Sequence, residues 1–199
     1  MTWRTIMSVL AELPKDKLCI AFWTFGVAFG VMFWCVVHSI DDQLIDLQKR
    51  KVPPQEPAYN TFHFQMFFAS GPGAKAILNQ WDEEERKLAR QSLLFDFAMM
   101  PTYAFFFAVI YLLLAKSVDG GWQTLLICFA LCPLAAWLCD IVENVMELFL
   151  LNTPKDGEPC AVLLAVAGCA TTCKWLLLIV PFFVGAGGWL LRLCRRRRS

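Results

Sequence analysis

The stretch 122–151, WQTLLICFALCPLAAWLCDIVENVMELFLL, decides how the chain reads. Its first two-thirds are apolar on every side, and it exceeds the about 20 mostly apolar residues that cross a hydrocarbon core of roughly 30 Å. Its last third carries Asp140, Glu143, Asn144 and Glu147. Their spacing of i, i+3, i+4 and i+7 places all four on one face of a helix. Ionisable groups inside a membrane span are costly, and they usually face a bundle interior or a water-filled cavity. The stretch therefore reads as a transmembrane helix with an acidic stripe turned toward other protein.

Three further blocks of the same kind flank it. Residues 18–40, LCIAFWTFGVAFGVMFWCVVHSI, contain His38 as the one titratable group besides two cysteines. Residues 92–115 hold the single charge Asp96, and residues 160–191 hold the single charge Lys174. The chain as a whole is 58% hydrophobic and 18% charged, against about 45–50% and about 25% in soluble domains. Backbone groups in lipid must be satisfied within each segment, so the blocks are expected to be helices rather than strands. The fold class that follows is an all-α membrane protein, a four-transmembrane-helix bundle with a long loop between helices 1 and 2.

The first block is too long for a signal-peptide core, and no small-x-small cleavage site follows it. It reads as a retained anchor, continued by the charged, helix-like SIDDQLIDLQKRK. Before it, residues 1–17 form an interfacial segment whose apolar Ile6, Met7, Val9, Leu10 and Leu13 are expected to lie on the membrane surface up to Pro14. Four spans put both termini on one side. That side carries nine basic residues and the other eight: Arg4, Lys15, Lys17, Lys116, Arg192 and Arg195–Arg198 against Lys49, Arg50, Lys51, Lys75, Arg86, Lys87, Arg90 and Lys155. The totals barely discriminate, but charges next to span ends weigh most. The polybasic tail, residues 192–199, therefore points to an integral, multi-pass protein with both termini cytoplasmic. Arg195–Arg198 is read as a topology anchor or a contact to anionic lipid of the bilayer. A net charge of +1 adds no support for a nucleic-acid partner.

The loop at residues 41–91 is the sizeable extramembrane part. VPPQEP should be extended, since each proline fixes φ. In the segment that follows, Phe62, Phe64 and Met66 alternate with Thr61, His63 and Gln65 before Phe67 and Phe68 break the period. This aromatic segment is expected to form an interfacial belt, with a lid over one face of the bundle as the alternative. Asp82 and Glu85 spell a capping box for a helix that runs on into the second span, and Glu83 is spaced to pair with Lys87.

Most of the nine cysteines lie inside spans, no CxxC occurs, and no His/Cys spacing fits a zinc site. Four-helix membrane thiol-disulfide enzymes of the vitamin K epoxide reductase type resemble the chain in helix number but depend on the CxxC it lacks. Cys194, beside the basic tail, is an acylation candidate. Gly26 and Gly30 make a GxxxG, and Ala161 with Ala165 a small-xxx-small pair, both favouring close helix packing within or between chains. A homo-oligomer or a partner helix is compatible with them.

Depth brings the polar groups together. At 1.5 Å per residue, Glu147 lies roughly 6 Å, Glu143 about 12 Å and Asp140 about 16 Å from the long-loop face; Asp96 lies roughly 6 Å and Tyr103 about 16 Å in, and Lys174 about 21 Å. His38 ends the first span on the same side. Lys174 can reach up to Asp140 or Glu143, and an ammonium there needs a carboxylate partner. Acids outnumber bases, so at least one carboxyl is expected to keep its proton near neutrality and to serve as a general acid or proton carrier. A divalent metal on carboxylates and His38 ranks lower because the ExxH pairs of helical di-iron sites are missing. No cofactor is implied, and no nucleotide loop or nucleophile elbow appears.

The site expected from sequence is thus Asp140, Glu143, Lys174 and Asp96, supported by His38, Tyr103, Asn144 and Glu147. One reading is a site acting on a lipid-borne or membrane-dissolved substrate, with Asp140 or Glu143 as acid/base and Lys174 as electrostatic partner. The alternative is a non-catalytic subunit or scaffold whose polar face docks partner helices. A proton-linked carrier would need oligomerisation, since four helices are few and no inverted repeat is detectable. The first two readings separate on whether a cavity reaches Asp140 and Lys174.

Overall fold

A computed structural model describes residues 2–51, 57–61, 64–65, 72–154 and 157–196. Among them every regular element is helical. Four helical stretches, Lys15–Arg50, Glu83–Ala115, Gly121–Leu150 and Ala161–Gly185, are long and apolar enough to cross a membrane.

The chain starts with α1 (Trp3–Glu12), which begins at Thr2, whose hydroxyl accepts from Thr5 N–H at 3.4 Å. Pro14 lies just beyond its end. Met7, Leu10 and Ala11, with Leu13 after them, pack against a cluster of Leu18, Ala108, Leu112, Leu126 and Ala130. The segment closes one end of the helix assembly.

The first long helix is α2 (Lys15–Val36), extended by a π-helical turn over Val37–Asp41 and by α3 (Asp42–Arg50), so the charged continuation after the first span is helical. Ser92 donates to Asp41 at 3.2 Å and pins the π turn to the second long helix. After α4 (Pro72–Gln80) comes α5 (Glu83–Ala115), whose N-terminus is a complete capping box. Asp82 accepts from Glu84 and Glu85 N–H at 3.0 and 3.1 Å, and Glu85 accepts from Asp82 N–H at 2.7 Å. Three donors at the helix start are thereby satisfied. Glu83 forms its ion pair with Arg90 at 2.7 Å, rather than with Lys87 one turn away.

The third block is not one continuous helix. It divides into α6 (Gly121–Phe129) and α7 (Cys132–Leu150), with a break at Ala130 and Leu131. Pro133 sits in the first turn of α7, where its missing N–H costs nothing and its ring cannot clash with a preceding turn. The last long helix, α8 (Ala161–Arg196), contains Pro181. The Arg195–Arg198 tail falls at and beyond the end of the described residues.

The long helices pack in series, α2 on α5, α5 on α7 and α7 on α8, while α2 and α8 barely touch. Gly26 serves the first of these contacts: a methyl group there would stand 2.9 Å from the Phe106 ring, whereas Gly30 has open space beside it. The GxxxG is used within the chain, and by only one of its two glycines.

The described part of the long loop packs over the helices. Phe64 is fully buried against Trp81 (ring centroids 5.2 Å apart), in a core with Leu44, Ile77, Leu78, Leu93 and Leu150. Arg86 fastens this cap. Its buried guanidinium donates to the carbonyls of Leu78, Trp81, Leu151 and Thr153, the unpaired carbonyls where α4 and α7 end. Gln48 adds a two-way clasp, donating to Tyr59 O at 2.6 Å and accepting from Tyr59 N–H at 2.9 Å. Phe62, His63, Met66, Phe67 and Phe68, part of the same expected aromatic segment, lie outside the described residues.

Candidate functional site

The polar residues spaced along α5, α7 and α8 converge on one cluster. Lys174 lies 2.8 Å from Asp140 Oδ1 and 2.6 Å from Glu143 Oε2. Tyr103 donates its hydroxyl to Asp140 Oδ2 at 2.5 Å. A second chain starts at Asp96, which accepts from Asn144 Nδ2 at 2.8 Å; Asn144 Oδ1 in turn accepts from Gln65 Nε2 at 3.2 Å. Gln65 also stands 3.4 Å from Glu147 Oε2, while Glu147 Oε1 has no hydrogen-bond partner among the described residues.

Local sequence explains this convergence. Asp140, Glu143, Asn144 and Glu147 are the buried polar side of α7, each at most 2% exposed, while Leu138, Val142 and Phe149 on its other side are open. The i, i+3, i+4, i+7 spacing produces that division directly. Lys174 is buried on α8, the helix that α7 packs against, and its four-carbon stem reaches across to two carboxyls of the stripe. An ammonium held by two carboxylates and a carboxylate held by a phenol and an ammonium are charge-assisted contacts, the strong kind in a low-dielectric setting.

Of the residues expected from sequence, seven are brought together: Asp96, Tyr103, Asp140, Glu143, Asn144, Glu147 and Lys174. His38 falls in the π turn, and its side chain lies outside the described residues. No group of three or more His, Cys, Asp or Glu side chains is arranged to hold a metal ion among the described residues.

The cluster stands at one end of a cavity of about 500 Å³. Gln65, Asp96, Tyr103, Asp140 and Lys174 form its polar end. Its walls are apolar and largely aromatic: Phe29 and Phe33 from α2, Met99 and Phe107 from α5, Trp175 and Phe182 from α8. Phe29 meets Tyr103 edge to face with ring centroids 6.4 Å apart, and Lys174 Nζ lies 5.8 Å from the Trp175 ring. Pro133, beside the break between α6 and α7, also lines the cavity. Irregular backbone at membrane depth is tolerated where it borders a cavity. On the side of α2 and α8, which scarcely meet, Phe33, Ile179, Phe182 and Phe183 are 45–68% exposed. An apolar molecule would therefore find the cavity wall open between those two helices.

Gln65 and the aromatic wall were not legible as site residues in the sequence. Gln65 was one polar position in an alternating segment, and the Phe and Trp residues of α2 and α8 are indistinguishable by type from lipid-facing ones. A signal did exist in the aromatic count, 17 Phe and 8 Trp, but nothing in it says which rings turn inward.

No protein-family model matches this chain, and no curated protein or solved structure matches it either. The class the fold and site define is therefore drawn from the molecule itself: an all-helical protein with four helices of membrane-crossing length and composition around a buried carboxyl–lysine cluster.

Proposed function

We propose that the protein is a multi-pass membrane protein whose four long helices form an intramembrane bundle, and that its cavity receives a lipid-borne or membrane-dissolved substrate. The observation that carries this reading is the cavity, polar at one end and apolar along its walls, with Asp140 and Lys174 at the polar end. Such amphipathic concavity is the usual form of a small-molecule site. A scaffold that docks a partner helix through its polar face would be served better by a filled bundle with a flat polar seam.

In this reading Asp140 is the acid/base group nearest the substrate, because it lines the cavity and Glu143 lies behind it on Lys174. The series Tyr103, Asp140, Lys174, Glu143, joined by hydrogen bonds as far as Lys174 and by an ion pair to Glu143, offers a path along which a proton can move to or from a bound head group. Asp96, Asn144 and Gln65 hold the opposite side of that head. Both termini face the cytoplasm, and the Arg195–Arg198 run lies against anionic lipid.

The test is purification in a mild detergent followed by native mass spectrometry. A lipid-like molecule retained by the wild type and lost on filling the cavity with Met99→Trp supports the reading. A stoichiometric protein partner with no retained amphiphile overturns it in favour of docking.

A further inference from the structure

Among the described residues, the polar end of the cavity is short of positive charge. Four carboxyls, Asp96, Asp140, Glu143 and Glu147, gather around one ammonium. That ammonium, Lys174, is already held by Asp140 at 2.8 Å and Glu143 at 2.6 Å. The second oxygen of Asp140 is occupied by the Tyr103 hydroxyl. Asp96 differs. It lines the cavity, its hydrogen-bond donors are the neutral amides of Asn144 and Gln65, and no cation pairs with it among the described residues.

The cavity that Asp96 lines suits a cation. Phe29 stands 6.4 Å from Tyr103 and 6.0 Å from Phe33, all three on the cavity wall. Aromatic faces attract an ammonium through the ring quadrupole, most strongly where water is excluded. A carboxyl adds a charge-assisted hydrogen bond. An anionic head, whether carboxylate or phosphate, would face the carboxyls and find the one lysine taken, an arrangement that costs free energy through like-charge repulsion. A hydroxyl head could bond to Asp96 but would bring no charge to it.

We propose that the cavity takes a single-chain amphiphile with an ammonium head, a long-chain amine, with the head at Asp96 beside Phe29 and Tyr103 and the tail along Met99, Phe107 and Phe182. This rests on the reading of the cavity as a site for a membrane-dissolved ligand and adds the sign of the head-group charge. Asp96, Asn144 and Gln65 set that preference, while the aromatic walls hold any chain of suitable length.

The experiment compares hexadecylamine, hexadecanol and hexadecanoate, which share one tail, on the full-length protein in a neutral maltoside detergent, with retention read by native mass spectrometry. The amine should bind about tenfold more tightly than the alcohol, as expected for one hydrogen bond to a charged group, and hexadecanoate should bind least. Asp96→Asn should erase the preference for the amine over the alcohol, with folding checked by size-exclusion profile; if that variant does not fold, the wild-type ranking still decides. Equal binding of amine and alcohol, or tighter binding of hexadecanoate, overturns the charge preference and leaves the cavity reading standing. Failure of all three to bind overturns both.

Discussion

At the scale of single residues, Lys174 is the group on which the site turns. Among the described residues it is the one cation in contact with Asp140 and Glu143, so removing it leaves two buried carboxyls without that counter-charge. Lys174→Met should destabilise the protein by about 3–5 kcal/mol, the usual result of breaking one side of a buried pair. Removing the carboxyls as well, in Lys174→Met/Asp140→Leu/Glu143→Gln, should recover most of that loss, because an apolar replacement of a whole buried ion cluster is often neutral. Thermal unfolding in detergent measures both. Ligand retention separates architecture from function: the triple variant should fold and hold the amphiphile more weakly than wild type, because Asp140 and Lys174 line the cavity, while Asp96 and the aromatic walls keep part of the binding. If it folds and retains the ligand unchanged, the cluster is only structural. Tyr103→Phe is the milder probe. It deletes the hydroxyl that donates to Asp140 and should cost about 1 kcal/mol. The pairing of Lys174 with Asp140 or Glu143 was legible in the sequence, because depth along a helix follows from residue count alone. That Lys174 holds both at once was not, since side-chain reach depends on how α7 and α8 are rotated about their axes.

Among the helices, two features lend themselves to test. Gly26→Val would put a branched side chain where a methyl already lies 2.9 Å from the Phe106 ring. It should lower stability by about 1–3 kcal/mol, the cost of overpacking, while Gly30→Val, with open space beside it, should change little. Equal effects in the same unfolding assay would show that α2 does not lean on α5 through Gly26. The second feature is the clasp at the start of α5, where Lys51 lies 2.6 Å from both Asp82 and Glu85. Partial burial pulls the Lys51 ammonium down, but its hydrogen bonds to Asp82 and Glu85 outweigh that and hold it above its ordinary 10.5. Asp82 is likewise pushed up by burial, yet its bonds to Lys51 and to the Glu85 and Glu84 N–H groups leave it below its ordinary 3.8. A lowered acid stabilises above its ordinary value and loses that stability as pH falls through its folded value; a raised base stabilises below its ordinary value and loses it as pH rises. The clasp is therefore complete between about pH 4 and pH 10. Lys51→Met should lower stability by about 1 kcal/mol across that window, with the difference from wild type shrinking as pH drops below 4. The capping box could be read from Asp82 and Glu85 alone because it is local. The break between α6 and α7 was not read, although Pro133 was visible, because an apolar run long enough to cross a membrane masks an interruption within it.

For the whole molecule, the sequence supplied the four long helices and the depth of their polar groups, since both are one-dimensional quantities. It did not supply the cavity. The cavity arises because α2, α5, α7 and α8 pack in series and leave α2 and α8 scarcely touching, a property of the arrangement rather than of any residue. Nor did it show that Phe64 and Gln65 fold back over the bundle end, because an alternating aromatic segment suits an interface and a cap equally well. The arrangement has a consequence for where a ligand enters. Asp96, where the proposed head group sits, lies within the first two turns below the long-loop face, by the rise of an α-helix, so in the proposed bundle the head would sit in the leaflet on that side. With both termini cytoplasmic, as proposed, that would be the leaflet away from the cytoplasm, and the amphiphile would enter from it through the gap between α2 and α8. The orientation can be tested by cysteine labelling in a cysteine-free background. Ser117→Cys lies in the turn between α5 and α6 and Glu158→Cys before α8, both exposed positions. A membrane-impermeant maleimide applied to intact cells should label Glu158→Cys, and should label Ser117→Cys only after permeabilisation. The opposite pattern would place the head-group site in the cytoplasmic leaflet. Labelling of both positions in intact cells would mean that α5 to α8 do not cross the membrane in the order proposed.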